Sequence, residues 1–239
     1  MSKDNYIFAN IELNESLDVI KAGLSILQNY TINQTKIVTV FVLLAHGFER
    51  ILKIVYSLHI LEQENRIIEN KDLRKFGHDL TRLHKALLEE CFTDKIREVP
   101  IVNSDFKQIK TDSILDKLFS VLTDFMKSGR YLYIDGINKP SKVASFHINK
   151  WEELESVATP HLNFIEFYEQ NGANNDATQR YKDLAHKHII ISIEKYLRAI
   201  YRSLGNWKIT NEKVKNCSNE FHEFNLMESQ LGQKNYTVW

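Results

Sequence analysis

Glycine and proline are scarce in this chain, with 8 and 3 among its 239 residues. An all-β sandwich or barrel of this length needs many tight turns, and tight turns depend on these two residue types. The shortage argues against such folds and favours long helices. Hydrophobic residues make up 43% of the chain and charged residues 26%, which excludes a collagen, a coiled-coil rod and a wholly disordered protein.

Disulfide patterns, export signals and membrane-spanning runs are also lacking. The two cysteines, Cys91 and Cys217, form neither a CxxC pair nor a disulfide framework, so both are expected to be reduced. The N-terminus mixes acidic with apolar residues and does not resemble a signal peptide. The most apolar stretch, 37–48, has about 12 residues, fewer than the roughly 20 that cross a bilayer. We therefore expect a cytoplasmic protein without a membrane segment.

The chain carries no net charge, since 31 basic residues offset 31 acidic ones. No overall field therefore attracts nucleic acid, and any such surface must be local. One basic block lies between 127 and 150, where Arg130 and Lys142 accompany Tyr131. Cations beside aromatic rings suit a phosphate backbone with unstacked bases. An acidic block follows up to residue 179, so the two blocks either pair with each other or leave the basic one for nucleic acid.

Apolar residues recur at three- and four-residue steps over much of the chain, which is typical of amphipathic helices. This pattern predicts helices at 17–27, 34–64, 72–90, 113–126, 151–158, 161–169 and 177–204, and a weaker one within 212–231. Residues 91–111 contain Pro100 and no sustained period, and are interpreted as a long connection. Residues 127–150 are predicted to be an irregular insertion, either a hairpin or a loop packed on the core.

The predicted architecture is therefore an all-α bundle in a single domain, 1–239. Its core is expected at about 17–204, followed by a short helix and a frayed tail within 205–239. Two of its helices share a pattern of acid, base, leucine and tyrosine, at Glu49–Tyr56 and Glu194–Tyr201. Either a helix has been duplicated, or both are ordinary amphipathic helices with an acid–base pair at i and i+4.

The usual signatures of nucleotide-binding loops, hydrolases and metal sites are missing. GxGxxG, GxxxxGK[ST], GxSxG, HExxH and CxxC do not occur. A di-iron bundle needs a Glu three residues before a His, and no histidine in this chain has one; only Asp183 and His186 come near that spacing. We therefore expect neither a metal nor another cofactor.

Two short motifs resemble the HEPN (higher eukaryotes and prokaryotes nucleotide-binding) superfamily of all-α domains. The segment Ala45–Lys53 places a Glu and a Lys one turn apart on one helix, and Phe76–Leu80 opens the next helix with the letters FGHDL. Ser128–Tyr131 is similar to an Arg-Tyr element that some members carry. The resemblance covers about 40–140. It implies a HEPN-like bundle in which the two motif helices are neighbours, and a role in bacterial defence or toxin systems.

Many members of this superfamily are metal-independent ribonucleases, with an Arg followed after four to six residues by a His and a second copy of the site across a homodimer. Arg180 and His186 have this spacing, at the start of a predicted helix. The resemblance implies that Arg180 holds the scissile phosphate and that His186 acts as acid or base. RNA-binding candidates are Lys182, Lys187, Arg130, Tyr131 and Lys142.

Alternatives remain open both for single residues and for the function of the whole protein. Arg74 and His78 form a secondary candidate site, but the three residues between them depart from the catalytic spacing, which favours His78 as a residue that caps or packs the helix opening there. Glu49 and Lys53 are either a solvated pair or a half-buried pair. The whole protein is alternatively a non-catalytic HEPN-like module that binds RNA, a nucleotide or a partner protein such as an antitoxin.

Overall fold

The computed structural model describes residues 3–32, 36–129, 146–160, 164–172 and 174–237. The first helices are α1 Lys3–Gln28, α2 Ile37–Glu64, α3 Asn70–Arg74, α4 Leu80–Ala86, α5 Asp94–Arg97 and α6 Pro100–Lys110. They are followed by α7 Ser113–Asp124, α8 Phe146–Ala158, α9 Phe164–Asn171, α10 Asn175–Gly205 and α11 Glu212–Cys217. In these ranges the regular structure is helical throughout, which confirms the all-α prediction.

Short stretches of other helix types complete the secondary structure of the described residues. π-Helical turns extend α4 over Leu87–Cys91 and α7 over Phe125–Gly129, and 3₁₀ turns follow α11 at Ser218–Phe224 and Glu228–Gln230. None of the helices in the described ranges combines the length and the apolar character that a bilayer crossing requires.

Helices α1 and α2 pack side by side in opposite directions. The chain order of their contacts shows this, since Gly23 approaches Leu44 while Gly47 approaches Ile20. A Cβ on Gly47 would lie 2.6 Å from Ile20 Cγ1, so the helices meet as closely as glycine allows. α2 ends at Asn65, a left-handed residue (φ 50°) whose N–H bonds to Leu61 O at 3.1 Å.

The core is centred on α2 and α10, the two longest helices among the described residues. Phe48 of α2 forms edge-to-face contacts with Phe119 of α7 and Tyr196 of α10, with ring centroids 5.2 and 6.2 Å apart. Phe41 of α2 stacks on Phe125 and meets Trp151 of α8 edge to face. These rings lie inside a single continuous cluster of buried side chains that joins most of the helices.

The predicted helix at 72–90 is wrong in its first third. The chain instead forms α3, a turn at 75–79, and then α4. Gly77 has φ +55°, a conformation that breaks the helix, and Asp79 is extended and accepts a hydrogen bond from Arg82 N at 2.9 Å. Asp79 is thus the N-cap of α4.

The prediction that 91–111 is a long connection is also wrong. Pro100 occupies the first turn of α6, where its missing N–H costs nothing. Val102, Phe106 and Ile109 then form a buried face. Pro100 therefore starts a helix in the segment that was predicted to be irregular.

The C-terminal residues differ from the expected frayed tail. Tyr236 is 2% exposed, and its backbone N–H bonds to Gln28 Oε1 at 2.9 Å. The same Gln28 donates from Nε2 to Lys234 O at 2.5 Å. The ends of the predicted irregular insertion at 127–150 are helical too, since α7 continues to Gly129 and α8 begins at Phe146. Residues 130–145 of that insertion lie outside the described ranges.

Candidate site around His78

His78 and Glu49 are brought together where α4 begins beside α2. His78 Nδ1 lies 3.0 Å from both oxygens of the Glu49 carboxylate. Glu49 Oε1 also accepts a hydrogen bond from Lys53 Nζ at 2.6 Å. The His78 side chain is 48% exposed, whereas that of Glu49 is 11% exposed. The expected contact between the two motif helices is therefore confirmed.

The protonation of this pair follows from its geometry. Burial acts to raise the pKa of Glu49, but hydrogen bonds from Lys53 and His78 outweigh it and hold that pKa below its usual value. The carboxylate is therefore ionised near neutrality and can only accept hydrogen bonds. His78 Nδ1 must then carry a hydrogen. In the neutral ring this leaves the Nε2 lone pair on the opposite side of the imidazole, away from Glu49.

The turn that presents His78 is fixed by its neighbours. Phe76 is 4% exposed and anchors the turn in the core, and Gly77 allows the chain to reverse. Asp79 accepts hydrogen bonds from the backbone of Arg82 and from Lys127 Nζ, the latter at 2.6 Å. The guanidinium of Arg82 bonds back to Lys75 O at 2.6 Å. His78 is therefore held on both flanks.

Positive charge surrounds this turn. Lys75 lies in the turn, and Arg82 and Lys127 bond to its residues. Two further basic residues accompany them, since Arg74 directly precedes the turn and Lys53 bonds to Glu49, the partner of His78. Three carboxylates face them, namely Glu49, Asp79 and Glu90, the last through Tyr56, whose hydroxyl also contacts Lys75 Nζ. An exposed imidazole in a surplus of cations is an arrangement that attracts a polyanion.

Arg180 and His186 are not brought together in the same way. Arg180 is exposed, and its Nε bonds to Asp176 O at 3.4 Å. His186 is 2% exposed. Six residues correspond to about 240° around a helix of 3.6 residues per turn, which places the two side chains on different faces of α10.

His186 belongs to a buried polar cluster between α8 and α10. Its Nε2 lies 2.9 Å from Glu155 Oε1 and 3.2 Å from Trp151 Nε1, and Glu155 also pairs with Lys182 Nζ at 2.8 Å. Burial acts to raise the pKa of Glu155, but hydrogen bonding to His186 and the charge of Lys182 lower it overall. One nitrogen cannot both accept from Trp151 and donate to an ionised Glu155, and the carboxylate at 2.9 Å favours the donating role.

The predicted RNA-binding residues differ in their exposure and in their partners. Lys182 is engaged by Glu155, and its side chain is 18% exposed. Lys187 is exposed on α10, and Arg74 is exposed at the end of α3. Arg130, Tyr131 and Lys142 lie outside the described residues. Of the two opposed charge blocks, Lys150 and Glu153 come within 3.7 Å of each other.

Sequence reasoning identified Glu49 and His78 separately but missed the contact between them. Glu49 was paired only with Lys53, because i and i+4 on one helix is a local relation, whereas the bond to His78 spans 29 residues. Glu155 was seen as one of a block of acids and was not connected with His186. No group of three or more His, Cys, Asp or Glu side chains that could hold a metal ion occurs among the described residues. No family model, curated protein or solved structure matches the chain.

Proposed function

We propose that this protein is a HEPN-like, metal-independent endoribonuclease whose base is His78. The observation that carries the proposal is the His78–Glu49 pair, in which a half-exposed imidazole is oriented by a buried carboxylate. Such a carboxylate fixes the tautomer and favours the protonated ring that forms during catalysis.

The chemistry needs no metal, since RNA carries its own nucleophile. His78 Nε2 removes the proton of a 2′-hydroxyl, and the oxygen attacks the adjacent phosphorus. The 5′-oxygen leaves with a proton from a general acid, and a 2′,3′-cyclic phosphate forms. Arg74 and Arg82 are the candidates to stabilise the negative charge of the phosphorane. In the homodimer that the resemblance implies, the second copy supplies the acid.

Arg180 and His186 are the sequence-based alternative for the same chemistry. For His186 to act on RNA it would have to leave Glu155 and the buried cluster, whereas His78 needs no rearrangement to reach solvent. We further propose a cytoplasmic location and, as the resemblance implies, a defence or toxin setting with an antitoxin or another protein as partner.

We predict that purified protein cleaves total RNA in the presence of EDTA and leaves cyclic phosphate ends. His78→Gln should lower the cleavage rate by about 100-fold or more, the range typical of a lost acid–base group. Glu49→Gln should lower the rate less and shift its pH profile, because the ring loses its orienting charge. The control is His222→Gln, which changes another exposed histidine and should leave the rate unchanged. The Arg180→Ala, His186→Ala double variant tests the alternative site on α10.

Equal rates for wild type and His78→Gln would contradict the assignment of His78. Loss of cleavage only in the Arg180, His186 double variant would move the chemistry to α10. Thermal melts of each variant show whether it is folded, so that a lost rate is not caused by misfolding.

Binding of RNA without cleavage is the second candidate, favoured by the excess of cations around the turn. In that case wild type and His78→Gln both shift an RNA band without cutting it, and the shift weakens as salt rises.

A further inference from the structure

Residues 231–237 form a strap across α1 and α10. Gly232 and Tyr236 both bond to Glu194 of α10, and Lys234 and Tyr236 both bond to Gln28 of α1. Nothing in the proposed nuclease chemistry uses these contacts. They hold the C-terminal strap by side-chain hydrogen bonds from two different helices.

Glu194 is the central contact of the strap. It is 0% exposed, and its carboxylate accepts from Gly232 N at 2.6 Å and from the Tyr236 hydroxyl at 2.8 Å. Within the described residues no cation comes within ion-pair distance of it. Two nearby cations have other partners: Lys234 of the strap pairs with Glu223, and Arg198 of α10 pairs with Asp105 and Glu228. The side chain of Lys187 on α10 lies against Gly232 of the strap, is exposed, and makes no ion pair with Glu194.

Charged groups on the other elements around Glu194 are likewise compensated. On α1, Lys21 lies between Asp18 and Glu223 at 2.7 and 3.3 Å. Burial, followed by the nearby Glu194 carboxylate, raises the pKa of Tyr236 well above its usual value, so Tyr236 remains a neutral donor. Glu194 therefore has no paired counter-ion among the described residues.

Two cavities of about 330 Å³ each border the strap, and both are lined by Lys234 and Asn235. One is lined by the strap with Asp18, Lys21 and Ala22 of α1. The other lies between the strap, the end of α1 and α10, and is lined by His186 and Lys187 among others. Movement of the strap would join them into one open groove along α1 and α10.

We propose that residues 231–237 are a proton-controlled latch, closed while Glu194 is protonated and loosened when Glu194 ionises. A buried carboxylate without a counter-ion is costly, whereas the neutral acid can stay in place and keep both hydrogen bonds. Loosening of the latch widens the cavity that His186 lines between α1 and α10, next to the exposed Lys187.

The direction of the pH effect follows from linkage. Burial outweighs the bonds from Gly232 and Tyr236 and the charges of Lys234 and Arg198, and so raises the pKa of Glu194 in the docked state. The docked state therefore binds the proton more tightly than the released state does. The latch is strongest below the ordinary pKa of glutamate and weakens as the pH rises through the raised, docked pKa.

The test is amide hydrogen exchange of residues 231–237 between pH 4 and pH 8, expressed as protection factors so that the intrinsic pH dependence cancels. Wild-type protection should fall with rising pH, by at most about tenfold per unit for one proton. Glu194→Gln has the same shape without the charge, and its protection should stay constant. Tyr236→Phe should lower protection at every pH while retaining the wild-type trend.

Glu89→Gln, an exposed change on the turn after α4, serves as the matched control and should behave as wild type. Three results would overturn the proposal: constant wild-type protection, a parallel fall in Glu194→Gln, or no protection of the strap at any pH.

Discussion

His84 shows how strongly the core acts on one titratable residue. It is 1% exposed and lies against the rings of Phe119 and Tyr196, with Nδ1 3.0 Å from the Tyr196 hydroxyl. Burial, with a smaller contribution from the charge of Lys85, lowers the pKa of His84 to about 4. The imidazole is therefore neutral in the folded protein under conditions where an exposed histidine is charged.

We predict that His84 makes the protein sensitive to mild acid. Between the unfolded value of 6.5 and the folded value of about 4, the unfolded chain binds a proton that the folded protein does not. The free energy of unfolding should then fall by about 3 kcal/mol over this window, since each pKa unit is worth about 1.4 kcal/mol. Urea titrations of the wild type, His84→Gln and the control His222→Gln at pH 7, 5.5 and 4 measure this loss of stability. The loss should be smaller in His84→Gln than in the other two proteins. An equal dependence of unfolding free energy on pH in all three proteins would disprove the prediction.

The repeated pattern at Glu49 and Glu194 marks the limit of sequence reasoning about single residues. Both glutamates stand four positions before a base, and Glu49 does bond to Lys53. Glu194 instead faces Tyr236, while Arg198 turns to Asp105 and Glu228. Spacing along one helix predicts which side chains can meet on that helix. It does not predict which element from elsewhere in the chain will cover them.

At the scale of elements, the crossing of α1 and α2 depends on two glycines. A Cβ at position 47 would lie 2.6 Å from Ile20 Cγ1 and 3.1 Å from the carbonyl oxygen of Ser16. Alanine is the better helix former by about 1 kcal/mol, so a glycine in mid-helix needs a reason. The reason here is the close approach of the neighbouring helix.

We predict that Gly47→Ala lowers the free energy of unfolding by about 1 to 3 kcal/mol, the usual effect of overpacking, despite its better helix propensity. In an Ile20→Ala background the contacting side chain is absent, so the same change should be neutral or stabilising. Chemical denaturation of the wild type, Gly47→Ala, Ile20→Ala and the double variant gives the coupling energy between the two positions. A coupling of zero would show that Gly47 is not retained for packing.

Long periodic helices were predictable from the sequence, and their interruptions were not. α2 and α10 lie close to the ranges that their apolar repeats predict, because the apolar face that each repeat forms is the face that becomes buried in the core. Pro100 and Gly77 misled the prediction because each residue type is compatible with two structures. Proline both breaks a helix interior and starts a helix, and glycine is tolerated within a helix and also ends one.

At the scale of the whole molecule, one buried ionic network joins distant parts of the chain. Asp105 of α6 is 2% exposed and contacts Arg198 and Arg202 of α10 at 3.0 Å each. Arg198 in turn pairs with Glu228 at 2.7 Å and donates to Leu226 O at 3.2 Å. The network therefore attaches the segment after α11 to the helical core.

We predict that Asp105→Asn lowers the free energy of unfolding by about 3 to 5 kcal/mol, because it removes the carboxylate charge that pairs with the buried Arg198 and the half-buried Arg202. Asp94→Asn, whose side chain is 97% exposed, is the matched control and should change stability by less than about 0.5 kcal/mol. Urea denaturation is the appropriate measurement, since guanidinium salts would screen the charges. A loss below about 1 kcal/mol for Asp105→Asn would contradict the assignment.

The bond between Gln28 and Tyr236 joins positions 208 residues apart. The surface that receives Tyr236 exists only after α1 and α10 have packed against each other, so the strap has nothing to bind earlier in folding. Its docking is therefore a late event in assembly. By the same reasoning it is an early place of opening, since residues 231–237 can leave without separating any pair of helices.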